Sequence, residues 1–430
     1  MYRYLQKNMQ ARHSGVQVGK DENGIYLIIQ FSKDMIDKVY VDEFFEECID
    51  QGTKIDININ PTVKPRSRPE AFYDFLDQGE IARVRKALDL REDYIPVRDD
   101  LNSFIYLKNY LDQHPPALKY IAKNREEHAT WASEVIKKIT DITGYEKIGQ
   151  RELEIEEGPQ TELEGIILKK VYITTAPGLK APAILAKPKQ MEIPMPGIIC
   201  VHGHNKGKIN TIGMLESSSN SYYGIELAKR GYVTLSLDQW GWGERKGFNY
   251  KHEGKPEEVF AKSALLLGTT AIGIRSWDVS RSIDYLETLD FVNSKFGVIG
   301  QSGGGTTAAF SSVLEDRIDA SIVSGYFCTW EKSIFAMKHC SCNFVPNILN
   351  HVEMHDLMAA RAPKPTFIVS GDSDPIFPQS GVQDAYKKLK KAYDLYDKPE
   401  NLGIDVIPNT GHVFRGKHAY PWLDKMLLDD

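Results

Sequence analysis

The C-terminal two-thirds of this 430-residue chain predicts an α/β domain: a mostly parallel central sheet flanked by helices, carrying a mainly helical N-terminal extension. Two observations lead there. Short apolar runs rich in β-branched residues recur at 171–175, 183–186, 197–201, 232–237, 296–300, 320–323, 366–369 and 404–407. Continuous apolar strands of that length are the pattern of a sheet buried on both faces, because alternation is lost when neither face meets water. Between many of them lie amphipathic stretches at 222–230, 277–289, 382–396 and 419–428. The first ends on Lys229 and Arg230 before Gly231, as a helix C-terminus should, with cations near the negative dipole end and a glycine free to turn. In the second, Val279, Ile283 and Leu286 share one face.

The chain divides by texture. Residues 1–150 read as a mainly helical N-terminal region, and 160–430 as the α/β domain. Apolar positions three or four apart, such as Ile81, Val84, Ala87 and Leu88, predict helices over 70–90 and 116–142, with Pro61, Pro65 and Pro69 marking a loop before the first. Residues 24–31 fit either a strand or a short buried helix, since period alone does not separate them. Three roles stay open for the region: a cap over a site, a homo-oligomer contact, or a cover for sheet edges.

Composition excludes whole classes. Apolar residues at 42% and charged residues at 26% suit a folded globular chain and exclude wholesale disorder. Lys plus Arg number 53 against 59 Asp plus Glu, a net charge of −6, which argues against a nucleic-acid partner. Five cysteines without a CxxC pair do not make a disulfide framework and fit a reducing compartment. With no signal-peptide core at the start and no apolar run long enough for a bilayer, the expectation is a cytoplasmic protein with no membrane association.

The strongest chemical signal is Gly300-Gln-Ser302-Gly-Gly304, preceded by an apolar run and followed by a stretch of small residues. A sharp strand-to-helix turn would lift the Ser302 hydroxyl off the backbone, and small neighbours are needed for it to close. The helix N-terminus behind it supplies free N–H groups and a positive dipole end for a developing oxyanion. A serine needs a base, and the base an orienting acid. Downstream, 366–378 reads as a strand ending in an acidic turn with Asp372 and Asp374, and 404–412 as a strand leading to Gly411-His412. The order Ser302, Asp374, His412, with spacings of 72 and 38 residues, follows a nucleophile elbow. Pro375 and Pro378 stiffen the segment around Asp374, which favours it over Asp372 as the triad acid.

The remaining need is an oxyanion hole, expected from the backbone N–H groups of Gly303 and of His204, the latter in His202-Gly-His204 at the end of an earlier strand. That H-x-H pair has no third ligand beside it, and the spacing of His339-Cys340-Ser-Cys342 fits no usual zinc pattern and reads as a buried Cys-rich segment near the pocket, so no metal and no cofactor are expected. Trp240 and Trp242, beside glycines in 238–245, offer a stacking wall for a sugar or aromatic substrate, or simply pack the loop. Glu244 and Arg245 read equally well as a structural pair or as contacts to a polar substrate.

These motifs together, with Asp238, Gly241, Gly243 and Glu244, resemble the α/β-hydrolase superfamily over about 160–428, and within it the dienelactone hydrolase-like and acetyl xylan esterase-like group. Another similar group carries a helical cap ahead of its hydrolase domain and includes C–C bond hydrolases. The resemblance implies a serine esterase acting on a small-molecule carboxylic ester, such as an acetylated sugar. Peptidase, thioesterase and C–C hydrolase chemistry on the same triad are its alternatives, and a non-catalytic scaffold is the reading from another class.

Overall fold

The computed structural model describes residues 15–21, 24–30, 55–56, 85–86, 99–149, 152–215, 221–247 and 256–429. The chain separates into two compact units, Met1–Leu101 and Asn102–Asp430. In the first, β1 (Gly15–Asp21) pairs antiparallel with β2 (Gly24–Gln30), which pairs in parallel with β3 (Ile55–Asp56). The open choice at 24–31 thus resolves as a strand over 24–30, and residue 31 lies outside the described residues. The helix expected over 70–90 lies outside the described residues apart from 85–86, which are helical, as do Pro61, Pro65 and Pro69. The contact boundary falls at residue 101, so the helices just after it stand with the second unit.

Those helices are α1 (Ser103–Gln113) and α2 (Arg125–Thr143). The Asn124 side chain accepts from the Glu127 backbone N–H at the start of α2, and Glu126 and Glu127 place negative charge in the first turn. Gly144, in the left-handed region, ends it where a Cβ would come within 2.8 Å of Thr269. Val135 and Ile139 of α2 are fully buried in the main core of the unit.

Among the described residues, nine strands form the central sheet of the second unit. At one edge β4 (Ile155–Leu163), β5 (Ile166–Ala176) and β6 (Leu179–Pro188) run as an antiparallel meander. β6 joins antiparallel to β8 (Val233–Leu237), which runs parallel to β7 (Met195–Val201). On the other side of β7 come β9 (Val292–Gln301), β10 (Ile318–Ser324), β11 (Thr366–Gly371) and β12 (Leu402–Ile407), all parallel.

Period-two alternation feeds both faces. Ile199 and Val201 of β7 enter one cluster with Val279 and Ile283 of α6 (Ala271–Glu287) and Phe310 of α7 (Gly303–Leu314). Ile198 and Cys200 enter the opposite cluster with Leu227 of α4 (Gly224–Lys229) and Leu423 and Leu427 of α10 (Ala419–Leu427). The remaining helices are α3 (Lys208–Thr211), α5 (Pro256–Leu266), α8 (Met354–Ala359) and α9 (Gln379–Asp394).

The chain leaves β7 toward β8 on one side and returns to β9 on the other. β7 is therefore the topological switch point, where an open α/β sheet leaves a crevice beyond its carboxyl ends. No helix among the described residues is long and apolar enough to cross a membrane.

Candidate active site

Ser302 occupies the turn from β9 into α7 with φ +59° and ψ −122°. A non-glycine residue held there costs about 1–3 kcal/mol and persists only when its surroundings force it. Here they do. A Cβ on Gly300 would stand 2.1 Å from the Gly304 carbonyl oxygen, and one on Gly304 would stand 2.3 Å from the Val201 oxygen. The two glycines of the motif are steric requirements of the turn. The Ser302 N–H donates to the Ser324 oxygen at 2.9 Å, tying the elbow to the end of β10.

The loop after β7 packs flush against this elbow: a Cβ on Gly203 would lie 3.2 Å from Ser302 Cβ. The His204 ring covers Gly303, whose Cβ position lies 3.0 Å from His204 Cε1. His202 has a different job. Its Nδ1 donates to the Gly203 oxygen at 2.7 Å, and its Nε2 accepts from the Gln239 N–H at 2.9 Å. Burial pushes its pKa down to about 4, so the ring is neutral and pins the loop.

Asp374 and His412 meet across the loops after β11 and β12. His412 Nδ1 stands 2.7 Å from Asp374 Oδ2. Asp374 Oδ1 accepts from the Ile376 and Phe377 N–H groups at 3.0 and 3.1 Å, which fixes the buried carboxylate. With Nδ1 donating to the carboxylate, Nε2 of His412 is left as the acceptor. That atom is buried and has no hydrogen-bond partner. The ring stacks on Phe377 at 5.7 Å, and its Cε1 is 3.0 Å from the Cβ position of Gly325, next to the residue that receives the Ser302 N–H.

Asp372 faces the other way. It is exposed and accepts from the Ser373 hydroxyl and from the Asn409 and Thr410 N–H groups, bonds that hold its carboxyl below the usual range. It laces the two loops together while Asp374 holds the histidine.

A cavity of about 460 Å³ opens in front of the elbow, lined by Ser302, Gly303, His204, Trp242, Phe377 and a polar group of Lys246, Glu257, Lys338 and His339. Of the two tryptophans singled out above, Trp242 is on the cavity wall, edge-on to the His204 ring at 5.5 Å. Trp240 is not among the lining residues. It is packed between the Phe260 ring, at 4.9 Å, and the Arg245 guanidinium. Of the polar cavity group, the sequence singles out His339 alone, because Lys246, Glu257 and Lys338 belong to no motif.

The Glu244 and Arg245 question resolves toward structure. The Lys208 ammonium, buried, bridges Asp238 and Glu244, and Arg245 pairs with the buried Asp278. A Cβ on Gly243 would lie 2.2 Å from the Asp238 carboxylate, which explains the glycine there.

A nine-stranded sheet with this switch point, a serine forced onto a strained strand-to-helix turn and a buried Asp–His pair beyond neighbouring strands define an α/β-hydrolase. The chain belongs to the Abhydrolase family, which matches it over residues 101–415. It is 29% identical over 225 residues, 50% of this chain and 72% of the relative, to a Bacillus subtilis (strain 168) protein named "Putative hydrolase YtaP". Among solved structures it is similar to a Bacteroides fragilis protein titled "putative acetyl xylan esterase", with TM-score 0.63 and 17% identity, covering 79% of this chain and 97% of the other. It is also similar to "Methylesterase BT1017", with TM-score 0.57 and 19% identity, covering 90% of this chain and 84% of the other. At these identities the two structural likenesses are likenesses of fold.

Proposed function

We propose that the protein hydrolyses a small carboxylic ester through a covalent acyl-enzyme on Ser302. His412 Nε2 takes the hydroxyl proton as Ser302 Oγ attacks the carbonyl carbon. Asp374 holds the tautomer that leaves Nε2 free and stabilises the imidazolium that forms. The backbone N–H groups of Gly303 and His204 receive the oxyanion, helped by the positive end of α7. His412 returns the proton to the leaving alkoxide, then activates water to release the acid. The observation that carries this reading is the 2.7 Å Asp374–His412 contact with a buried, unpartnered Nε2 on the far side of the ring.

The cavity supports an acyl or alcohol part that is small and polar. Trp242 offers a face for a sugar ring, and Lys246, Lys338 and Glu257 offer partners for hydroxyl groups. An acetylated or methyl-esterified sugar fits that lining, and ester hydrolysis is in keeping with the esterase names of the two structural relatives. The test is hydrolysis of p-nitrophenyl acetate and of acetylated sugars, with a peptide amide as control. Ser302→Ala should lower kcat by at least about 1,000-fold. Activity equal to the parent protein would remove Ser302 from the mechanism, and cleavage of the amide alone would replace the ester reading.

A further inference from the structure

The cavity wall beside Ser302 holds a group of side chains that ester hydrolysis leaves unused. His204 comes from the loop after β7. Cys340 and Cys342 flank Ser341 at the start of the 3-10 turn Ser341–Asn343. Their ligand atoms all lie within 4.8 Å of one another, and His204 Nε2 stands 3.1 Å from Cys342 Sγ. The His204 segment has no third ligand beside it in sequence and the Cys340 segment no zinc-like spacing; the fold alone joins residues 138 positions apart.

One imidazole and two thiols are the donor set of a borderline-soft divalent cation. Zinc bonds sulfur at about 2.3 Å and nitrogen at about 2.0–2.1 Å, so the edges of its tetrahedron run roughly 3.4–3.8 Å. The three atoms reach those separations by moving about an ångström or less. Both ligand-bearing turns are already held. The His204 ring makes a T-shaped contact with Trp242 at 5.5 Å. Glu258 accepts from the N–H and the hydroxyl of Ser341, between the two cysteines, and the Thr306 hydroxyl donates to Asn343 Oδ1 at 2.7 Å. Such support around the ligands is what fixes a metal site before the ion arrives. His204 and Cys340 line the same cavity as Ser302 and Gly303, and three protein ligands leave a tetrahedral ion one open position.

We propose that His204, Cys340 and Cys342 form a binding site for a thiophilic divalent cation of the zinc class, and that its occupation closes the hydrolytic site. The two thiols give up their protons to solvent as the ion binds. The resulting thiolates and the neutral imidazole match its charge. Because the His204 ring lies over Gly303, an ion drawn to Nε2 and the thiolates stands beside the position the ester carbonyl must take. The binding half of this proposal is independent of the esterase reading. The closure half rests on it.

The test uses the full chain kept reduced, with Co²⁺ as the spectroscopic stand-in for Zn²⁺. Thiolate-to-cobalt charge-transfer absorption should appear, saturate at one ion per chain and vanish when Zn²⁺ displaces it. Cys340→Ser and Cys342→Ser should each weaken binding at least about tenfold, whereas Cys328→Ser, outside the cluster, should not. One equivalent of Zn²⁺ should lower ester hydrolysis at least about tenfold, with a chelator restoring it. Absence of the thiolate band while a thiol count shows the cysteines free overturns the site, as does an undiminished band in Cys342→Ser. A full band with unchanged hydrolysis overturns the closure. Lack of hydrolysis before any metal is added counts against the esterase reading alone, because the cobalt spectrum does not depend on it.

Discussion

Two polar clusters stand at the carboxyl ends of strands in the one sheet, beyond β8 and beyond the β11–β12 pair, and they are built to opposite rules. Beyond β8, Asp238 accepts from the Lys208 and Glu244 N–H groups and from the Lys208 ammonium, which also reaches Glu244. Both Asp238 carboxylate oxygens are occupied. Beyond β11 and β12, Asp374 is equally well held, yet the histidine it holds ends in a buried nitrogen without a partner. A buried polar atom left unpaired costs about 1–3 kcal/mol, and the serine at the nearby elbow sits in strained backbone as well. The cluster around Asp238 shapes the loop, while the one around His412 gives up stability in the way the proposed chemistry needs.

The sharpest way to break this contrast is to compare the two carboxylates of one turn. Asp374→Asn should lower ester hydrolysis by about 10,000-fold, because the amide no longer selects the tautomer that leaves Nε2 unprotonated. Asp372→Asn should leave kcat within about threefold and lower Tm, since it only loses acceptor strength toward Ser373, Asn409 and Thr410. Equal losses in the two variants would erase the division of labour.

The satisfied cluster should respond in the opposite currency. Lys208→Met strands the buried Asp238 carboxylate and should cost about 3–5 kcal/mol in denaturant unfolding. The fraction still folded should hydrolyse ester at a rate within several-fold of the parent. A stable variant with no activity would place this cluster in the chemistry.

His202 adds a smaller effect with a defined pH window. Its folded pKa of about 4 lies below the ordinary 6.5, so the native state favours the neutral ring. That contribution is complete above about pH 6.5 and is lost as pH falls toward 4. The full shift corresponds to about 3 kcal/mol as an upper bound. His202→Gln should flatten stability across this window, and an unchanged slope would show that other groups set it.

The fold and the site differ in how far the sequence reveals them. The strands from β7 to β12 are visible as apolar runs because helices cover both faces of the sheet. β4 is not, since most of its residues are exposed and its apolar positions are too few to form a pattern. The expected helix over 116–142 begins only at Arg125, after the turn that follows Pro115 and Pro116, where Asn124 caps it. At the site, Ser302, Asp374 and His412 stand out because each follows a strand within a few residues, beside turn-forming residues, a signal local in sequence. Trp240 and Trp242 are alike as sequence. What separates them is Phe260, a remote residue that claims one of the two. The His204–Cys342 contact is invisible for the same reason, since it exists only once the loop after β7 and the turn at 341–343 are folded together.

The most direct test of the central claim is to treat the protein with a fluorophosphonate, which reacts with an activated serine hydroxyl, and to map the adduct by peptide mass. The structure and its proposed chemistry require one adduct per chain, located on Ser302 and lost in Asp374→Asn at matched exposure. No adduct on the folded protein, or labelling at a residue other than Ser302, would contradict it.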